Sequence, residues 1–180
     1  MMQVTSFEAE AAMAAPGENQ DHRLYLEDLD VGRRFTSATH AIDEAQIKGF
    51  ATQFDPQPFH LDDAAAKATL FGGLAASGWH TAAITMRLLV ESGLPLSGGI
   101  VGAGGEINWP KPTRPGDILQ VVSEVEEVVP SRSRPDRGMV RVRSETRNQR
   151  GEVVQVLLAK LIVPRRAATS PQPHGELAAG

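Results

Sequence analysis

Cysteine is absent from this 180-residue sequence, and its absence excludes several kinds of chemistry at once. The chain can form no disulfide, carries no thiolate nucleophile and offers no cysteine ligand to a metal ion. No other metal-ligand spacing stands out, so we expect no metal site. The composition fits a reducing compartment, and we expect a cytoplasmic protein.

Net positive charge and long apolar runs are also missing. Lysine and arginine number 18 against 22 aspartate and glutamate residues, which gives a formal net charge of -4. Such a balance argues against a surface that follows nucleic-acid phosphates. No apolar run approaches the roughly 20 residues of a membrane span, and the N-terminus lacks the basic and apolar segments of a signal peptide. We expect neither nucleic acid nor a membrane as a partner.

The length favours one domain with a hydrophobic core, flanked by two segments of biased composition. Residues 1–22 are rich in alanine and glutamate, and residues 164–180 are rich in proline, alanine and glycine. Neither segment carries a sustained apolar stripe, so neither can bury enough surface to offset the entropy of ordering it. The sequence therefore predicts disordered tails at 1–22 and 164–180 around a folded domain at 23–163.

A carboxylate and an imidazole lie in a proline-stiffened segment near the centre of the folded region. Asp55 and His60 are five residues apart, with Pro56 and Pro58 between them. Each proline fixes its own φ and drives the preceding residue toward extended conformations, so the segment is stiff. A carboxylate and an imidazole at a set separation can share a proton or a water, as general acid-base catalysis requires. Alternatively, Asp55 caps a turn and His60 is a structural loop histidine.

A helix is predicted after this segment, from Gly78 to about Gly93. Ser77 is a suitable N-cap and Gly93 a suitable C-terminal stop. The first amides of such a helix lack intrahelical partners and lie at the positive end of its dipole, where they can stabilise an oxyanion. A helix that is apolar around most of its girth is expected to be buried, and the apolar residues at helical spacing are Trp79, Ala82, Ala83, Met86, Leu89 and Val90.

The remaining pattern predicts an α+β domain. A strand is expected at 34–41 and a short helix at 42–53, with Asp43 as its N-cap. Three strands are expected after Asp117; the first two alternate in polarity, and the last lies at 152–163. By the rules of layer packing, such a sheet curls around the one long helix. The last strand is apolar on both faces and a lone sheet has exposed edges, so we expect a homodimer or a multiple of dimers.

Five glycines between residues 98 and 105 invite comparison with a phosphate-binding loop. A dinucleotide-binding fingerprint must follow a strand and open a helix. This run follows the long helix and leads into strand-like sequence, so we reject that interpretation. We expect the glycines to let a strand and a ligand pass close together.

Four segments together resemble a known enzyme family. They are residues 25–35 (YLEDLDVGRRF), 54–62 (FDPQPFHLD), 71–81 (FGGLAASGWHT) and 111–117 (KPTRPGD). The second and third are similar to the hydratase motif of the MaoC-like enoyl-CoA hydratases and dehydratases, and the likeness extends over about 24–163. The resemblance implies a hotdog fold, in which an antiparallel sheet wraps one long helix. It also implies reversible hydration of trans-2-enoyl-CoA to (3R)-3-hydroxyacyl-CoA, with coenzyme A as part of the substrate and no separate cofactor.

The resemblance also implies a role for each residue of the motif. Asp55 and His60 would be the catalytic pair, and the amide of Gly78 would polarise the thioester carbonyl. Which member of the pair holds the proton at rest does not follow from the sequence. Their neighbours would contact the substrate, and these are Gln57, Phe59, Ser77 and Trp79.

Three positions depart from the common pattern of the family. Gln57 stands where an asparagine is frequent, Ser77 where a histidine is frequent, and Ala83 where some members carry a serine. The acid, the imidazole and the backbone donor are retained. These differences therefore bear on the choice of substrate and on the rate.

Other interpretations compete with a hydratase. An acyl-CoA thioesterase on the same fold generally carries its acid on the long helix, where this chain offers only Glu91. A non-catalytic acyl-ligand-binding protein is a second alternative, and a nucleophile pair of Ser77 and His80 lacks a third group. A basic cluster could bind the phosphates of coenzyme A or form a solvated hairpin tip, and it comprises Arg132, Arg134, Arg137, Arg141 and Arg143.

Overall fold

The computed structural model describes residues 23–166. The strands in this part of the chain are β1 (Arg34–Ala41), β2 (Val101–Asn108), β3 (Ile118–Pro130), β4 (Arg137–Arg147) and β5 (Val153–Pro164). The α-helices are α1 (Glu44–Phe54), α2 (Pro58–Leu61), α3 (Asp63–Lys67) and α4 (Gly78–Leu88). A 3₁₀ helix, Leu26–Asp28, precedes β1, and a π-helical turn, Leu89–Gly93, continues α4. Within residues 23–166 no helix has the length and apolar character needed to cross a membrane.

The five described strands form one antiparallel sheet in the order β1-β3-β4-β5-β2. Helix α4 contacts β1, β3 and β5, so the sheet curls around it. The core fills the space between them, where Ile84 and Leu88 of α4 belong to one cluster with Val125, Val140 and Leu161 of the sheet. This arrangement confirms the α+β hotdog fold that the sequence predicted.

Helix α1 begins and ends where local sequence signals predict. The Asp43 carboxylate caps it and accepts a hydrogen bond from the Gln46 amide at 2.8 Å. The helix ends at Phe54, because Asp55 precedes Pro56 and is driven out of the helical region. The end of α1 thus places Asp55 at the start of the next turn.

Helix α4 is buried on one face only, contrary to the expectation of burial around most of its girth. Thr81 and Thr85 face inward because their hydroxyls find partners, Thr113 at 2.9 Å and Thr146 at 2.6 Å. Much of the predicted apolar stripe lies instead on an exposed face, which comprises Trp79, Ala83, Met86 and Val90. A single chain therefore leaves an apolar face of its central helix uncovered.

Strand β5 lies inside the sheet between β4 and β2, which accounts for its apolar residues on both faces. It continues through Pro164, and Arg165 and Arg166 then form ion pairs with Glu27 and Asp28 at 2.7 and 2.6 Å. Residues 164–166, which the sequence placed in the C-terminal tail, are thus part of the described structure, because composition does not reveal these ion pairs. Residues 1–22 and 167–180, which make up the rest of the predicted tails, lie outside the described residues.

The glycine-rich run leads into the edge strand β2, as the sequence predicts. A Cβ atom at Gly105 would lie 2.5 Å from the carbonyl oxygen of Leu158. The register between β2 and β5 also shifts between Gly102 and Gly105. Glycine at this point lets two backbones approach closely.

Candidate active site

Asp55 and His60 are brought together by the turn between α1 and α2. Asp55 caps the C-terminus of α1, and His60 lies in α2, a single helical turn that begins at Pro58. The sequence predicted a loop here, but proline is well suited to a first helical position, where no N–H is needed. Asp55 Oδ2 lies 3.5 Å from His60 Nε2. His60 is only 4% exposed, so its imidazole is shielded from bulk water, whereas Asp55 is partly exposed.

A backbone carbonyl determines which nitrogen of His60 carries the proton. His60 Nδ1 lies 2.7 Å from the carbonyl oxygen of Ala75. A carbonyl oxygen can only accept a hydrogen bond, so Nδ1 is the donor. Nε2, which faces Asp55, is therefore the nitrogen that can take up and release a proton.

Asp55 is held as a carboxylate. The side-chain amide of Gln57 donates to Asp55 Oδ1 at 2.7 Å, and the hydroxyl of Ser77 faces the same group. Ser77 has the largest effect, and together with Gln57 and His60 it holds the pKa of Asp55 below its usual value, against partial burial that raises it. Asp55 is thus ionised at neutral pH, a point that the sequence alone did not decide.

The N-terminus of α4 is built around Ser77 and Gly78. The hydroxyl oxygen of Ser77 accepts the amide of Trp79 at 3.2 Å, as expected of an N-cap. The amide of Gly78 hydrogen-bonds to no acceptor within residues 23–166. A Cβ atom at Gly78 would lie 2.8 Å from the indole of Trp109. Glycine at this position thus gives room to the Trp109 indole.

A cavity of about 390 Å³ lies at this end of α4. His60 and Gly78 line it together with Phe71, Thr81 and Trp109. The imidazole and the first amide of the helix thus border the same space. That arrangement could polarise a carbonyl and transfer a proton beside it.

The two aromatic residues that were expected to contact substrate lie in different places. Phe59 is half-buried and packs edge-on against His60, with ring centroids 4.5 Å apart, so it supports the imidazole. Trp79 is 62% exposed and meets Trp109 edge-on at 5.4 Å. It lines a second cavity of about 390 Å³, which has mostly apolar walls from α4, β2, β4 and β5. The Trp79–Trp109 pair therefore lies between the two cavities.

Arg114 is a neighbour of the site that the sequence did not single out. Its guanidinium binds the segment that connects α3 to α4 and carries Ala75 and Ser77. The KPTRPGD motif contains this arginine, but no local pattern shows that its side chain reaches a segment so distant along the chain.

Two alternatives find little support in the geometry. Glu91 forms an exposed ion pair with Arg87 at 2.8 Å on the last turn of the helix, far along the chain from Gly78. His80 does not bond to Ser77: its Nδ1 is buried without a partner among the described residues, and its ring stacks on Phe50 at 4.6 Å. Burial also lowers the pKa of His80.

Three arginines of the predicted basic cluster have carboxylate partners on the surface of the sheet. Their partners favour the solvated-hairpin interpretation, and the pairs are Arg137 with Asp136, Arg141 with Glu126, and Arg143 with Glu145. Arg132 and Arg134 lie in the turn between β3 and β4 and are exposed. Contact of this cluster with coenzyme A stays a prediction.

Comparison with known proteins finds relatives of this chain. The MaoC like domain family matches residues 29–148. The solved MaoC-like dehydratase from Rhodospirillum rubrum is 65% identical with a TM-score of 0.79, and the match covers 81% of this chain and 99% of that one. The solved R-hydratase PhaJ1 from Pseudomonas aeruginosa is 26% identical with a TM-score of 0.65, over 88% and 97%. The curated 3-hydroxybutyryl-CoA dehydratase of Methylorubrum extorquens is 36% identical over 117 residues, 62% of this chain and 69% of that protein.

The family match covers more than half of the chain and includes Asp55, His60 and Gly78. The two solved relatives have the same arrangement of sheet and central helix. The chain therefore belongs to the MaoC-like dehydratase family, whose members have the hotdog fold and are enzymes of the hydro-lyase kind.

Proposed function

We propose that the protein catalyses the reversible hydration of trans-2-enoyl-CoA to (3R)-3-hydroxyacyl-CoA. The observation that carries the proposal is the pair of Asp55 Oδ2 and His60 Nε2, 3.5 Å apart near the N-terminus of α4. The names of relatives support the reaction class, since one is a 3-hydroxybutyryl-CoA dehydratase and another an R-hydratase. Coenzyme A is part of the substrate, and the reaction needs no separate cofactor.

The pair of side chains can orient the attacking water. With its proton on Nδ1, neutral His60 presents a lone pair on Nε2, and Asp55 presents carboxylate oxygens. Both groups accept hydrogen bonds, so one water can donate one hydrogen to each. The lone pairs of that water then point toward the bound double bond.

The hydration step conserves atoms and charge as follows. The water oxygen bonds to C3, and the electrons of the C2–C3 double bond move to the thioester oxygen to form an enolate. Asp55 helps to deprotonate the water, the released proton passes to His60 Nε2, and Nε2 delivers that proton to C2 as the enolate collapses. Dehydration runs through the same steps in reverse.

The amide of Gly78 is the proposed donor to the enolate oxygen. It lies at the positive end of α4 and lines the same cavity as His60. One well-placed donor of this kind contributes on the order of a hundredfold or more in rate. Gln57 and Ser77 act on Asp55, so we propose that they tune the base while they border the substrate.

The second, apolar cavity is the proposed place for the acyl chain. The Trp79–Trp109 pair lies between it and the cavity of His60. Burial of each methylene of the chain there would contribute about 0.8 kcal/mol. Chain-length preference then depends on these two indoles.

We also infer that the protein forms a homodimer. The exposed face of α4 carries Trp79, Met86 and Val90, and the edge strand β2 beside it is largely exposed. Proteins rarely leave a contiguous apolar surface and a long open edge uncovered. A second copy of the chain, related by a two-fold axis, would cover both.

The direct test is an assay with crotonyl-CoA and longer enoyl-CoAs, with free crotonic acid as the control. We expect loss of the conjugated thioester and formation of 3-hydroxyacyl-CoA, with little reaction of the free acid. Its carboxylate resists the enolate charge and lacks the coenzyme that helps to orient the reacting atoms. No turnover of any enoyl-CoA would contradict the proposal and favour a binding protein.

A thiol reagent in the same assay distinguishes the thioesterase. Because the protein contains no cysteine, the reagent reports only coenzyme A that has been released. A hydratase leaves the thioester intact, so we expect no thiol signal. Release of coenzyme A without hydration would move the assignment to the thioesterase class.

A further inference from the structure

We propose that Arg114 is a positioning residue that holds the segment 71–77 in the conformation which fixes the proton of His60. The kinetic part of this inference rests on the proposed hydratase function. Its structural part concerns the tautomer of His60 and can be tested without a substrate.

The Arg114 guanidinium donates to three carbonyl oxygens of one short segment. Nη1 donates to Gly73 at 2.7 Å and to Leu74 at 3.0 Å, and Nη2 donates to Phe71. A guanidinium presents five N–H donors in a rigid planar fork, and it stays charged at any accessible pH. A lysine ammonium on its flexible stem cannot reproduce that geometry.

The segment needs an anchor because it has no regular structure of its own. Residues 71–77 lie between α3 and α4 outside any helix or strand, and Gly72 has a φ of 64°. The carbonyls of residues 71–76 therefore lack partners from a regular helix or sheet ladder of their own, whereas the Ser77 carbonyl accepts the first bond of α4. Other hydrogen bonds hold amides of the segment as well. Leu74 donates to Asp63 Oδ1 and Ala76 to the Thr113 carbonyl, each at 2.9 Å, and Ala75 donates to the Phe59 carbonyl at 3.4 Å.

The anchored segment carries the groups that control the pair. Ala75, which accepts from His60 Nδ1, comes directly after Leu74, whose carbonyl Arg114 holds. Ser77, the strongest influence on the pKa of Asp55, comes two residues later. Without Arg114, the amides of Leu74, Ala75 and Ala76 would be the remaining ties of this part of the segment. We expect the Ala75 carbonyl to shift under this weaker hold, so that Nδ1 loses its close acceptor. The proton of neutral His60 can then move to Nε2, which can no longer accept from water.

Arg114 is itself fixed by a buried carboxylate. Its backbone amide donates to Asp117 Oδ2 at 2.8 Å, and Asp117 is 1% exposed. On its other oxygen Asp117 accepts from Arg150 at 2.9 Å. Arg150 thus belongs to the same charged network but donates nothing to the segment 71–77, which makes it a matched control.

The kinetic test compares Arg114→Ala and Arg114→Lys with Arg150→Ala. We expect Arg114→Ala to lower kcat on the order of a hundredfold with little change in KM, because the pair is misplaced while the substrate pocket persists. Arg114→Lys should have a kcat between those of Arg114→Ala and the wild type. Arg150→Ala should have a kcat near that of the wild type. Guanidinium ion, added far below unfolding concentrations, should restore part of the activity of Arg114→Ala and none to His60→Gln.

The tautomer test uses nitrogen-15 NMR of the imidazoles, with His60 identified by the signal that His60→Gln removes. We expect the wild type and Arg150→Ala to show the proton on Nδ1, and Arg114→Ala to show a shift toward Nε2. If Arg114→Ala does not fold, Arg114→Lys decides. A folded Arg114 variant with wild-type kcat, or with an unchanged His60 tautomer, would overturn the proposal. An inactive wild type would instead count against the hydratase function.

Discussion

Asp55 and His60 differ in the partners that each already has. His60 Nδ1 is committed to the Ala75 carbonyl, and Asp55 Oδ1 to the Gln57 amide. Asp55 Oδ2 and His60 Nε2 are left facing each other at 3.5 Å. We therefore expect Asp55 Oδ2 and His60 Nε2 to carry out the proton transfer. Substitution of either residue should lower the reaction rate far more than it changes the fold.

Removal of either group should greatly reduce turnover. Asp55→Asn and His60→Gln should each lower kcat/KM by on the order of a hundredfold or more, because general acid-base catalysis contributes that much. Thermal stability should change little. His40→Gln is the matched control, since the described hydrogen bond of the His40 imidazole is to the Gln46 side chain and not to Asp55 or His60. Wild-type turnover in either active-site variant would contradict the assignment.

Ser77 should set the acid limit of the pH profile. The folded-state pKa of Asp55 is lowered, so its ionised form is lost only as pH falls below the usual value of about 3.9. Ser77→Ala removes the largest cause of that lowering, so the acidic limb of kcat/KM should move to higher pH. Any stability that the ionised Asp55 contributes is present above the unfolded pKa and is lost as pH falls through the folded pKa.

A control is needed because Ser77 also caps α4. Loss of an N-cap costs about 1 kcal/mol of stability in itself. Asp43→Ala removes the cap of α1 at the end of that helix far from Asp55. It should lower stability similarly and leave the acidic limb in place. An unmoved limb in Ser77→Ala would sink the proposed role of Ser77.

At the scale of single elements, local signals predicted what is local. The strand β1 lies at the predicted residues 34–41, and the start of α1 follows from the Asp43 cap. The end of α1 at Phe54 follows from Pro56, which also brings Asp55 out of the helix. These features depend on neighbours a few residues away, so a sequence is sufficient to place them.

Contacts between distant elements were not predictable in this way. From hydropathy we predicted that the apolar stripe of α4 faces inward, which is wrong for much of the stripe. Hydropathy cannot show that Thr81 and Thr85 find hydroxyl partners across the core. The single turn α2 was missed because a proline was taken as a helix breaker and not as a first helical residue. The hydrogen bonds from Arg114 to the segment 71–77 depend on the fold and on the direction of the arginine side chain. Spacing in the sequence reveals neither of these.

The fit of α4 against Trp109 gives an element-scale prediction. Gly78→Ala keeps the amide but places a Cβ 2.8 Å from the indole, so it should destabilise the protein by about 1–3 kcal/mol. Adding Trp109→Leu should recover part of that loss in a double-mutant cycle measured by chemical unfolding. Gly49→Ala is the control, since nothing lies within 4 Å of its Cβ. Gly49→Ala should stabilise α1 by roughly 0.5–1 kcal/mol. An equal loss of stability in Gly78→Ala and Gly49→Ala would contradict the packing argument.

At the scale of the whole molecule, the uncovered face of α4 predicts a dimer. Light scattering of the wild type should give twice the mass of the chain or a multiple of that. Met86→Glu places a charge on this face and should weaken the assembly, because burying an unpaired charge is costly. Val31→Glu, at a 67% exposed residue in the turn before β1, should leave it unchanged. A wild-type monomer at micromolar concentration would contradict this architecture.

The most direct measurement of the central claim is the stereochemistry of hydration in deuterated water. His60 lines the cavity and Asp55 lies 3.5 Å from its Nε2, so we expect a single water held by the two to reach only one face of the double bond. Crotonyl-CoA should therefore receive deuterium at C2 on the face that received the hydroxyl. Membership of the MaoC-like family adds the expectation that the product is (3R)-3-hydroxybutyryl-CoA. Chiral chromatography and NMR of the product resolve both centres. A (3S) product would contradict the reaction proposed from the family, and addition to opposite faces would contradict the geometry of the Asp55–His60 pair.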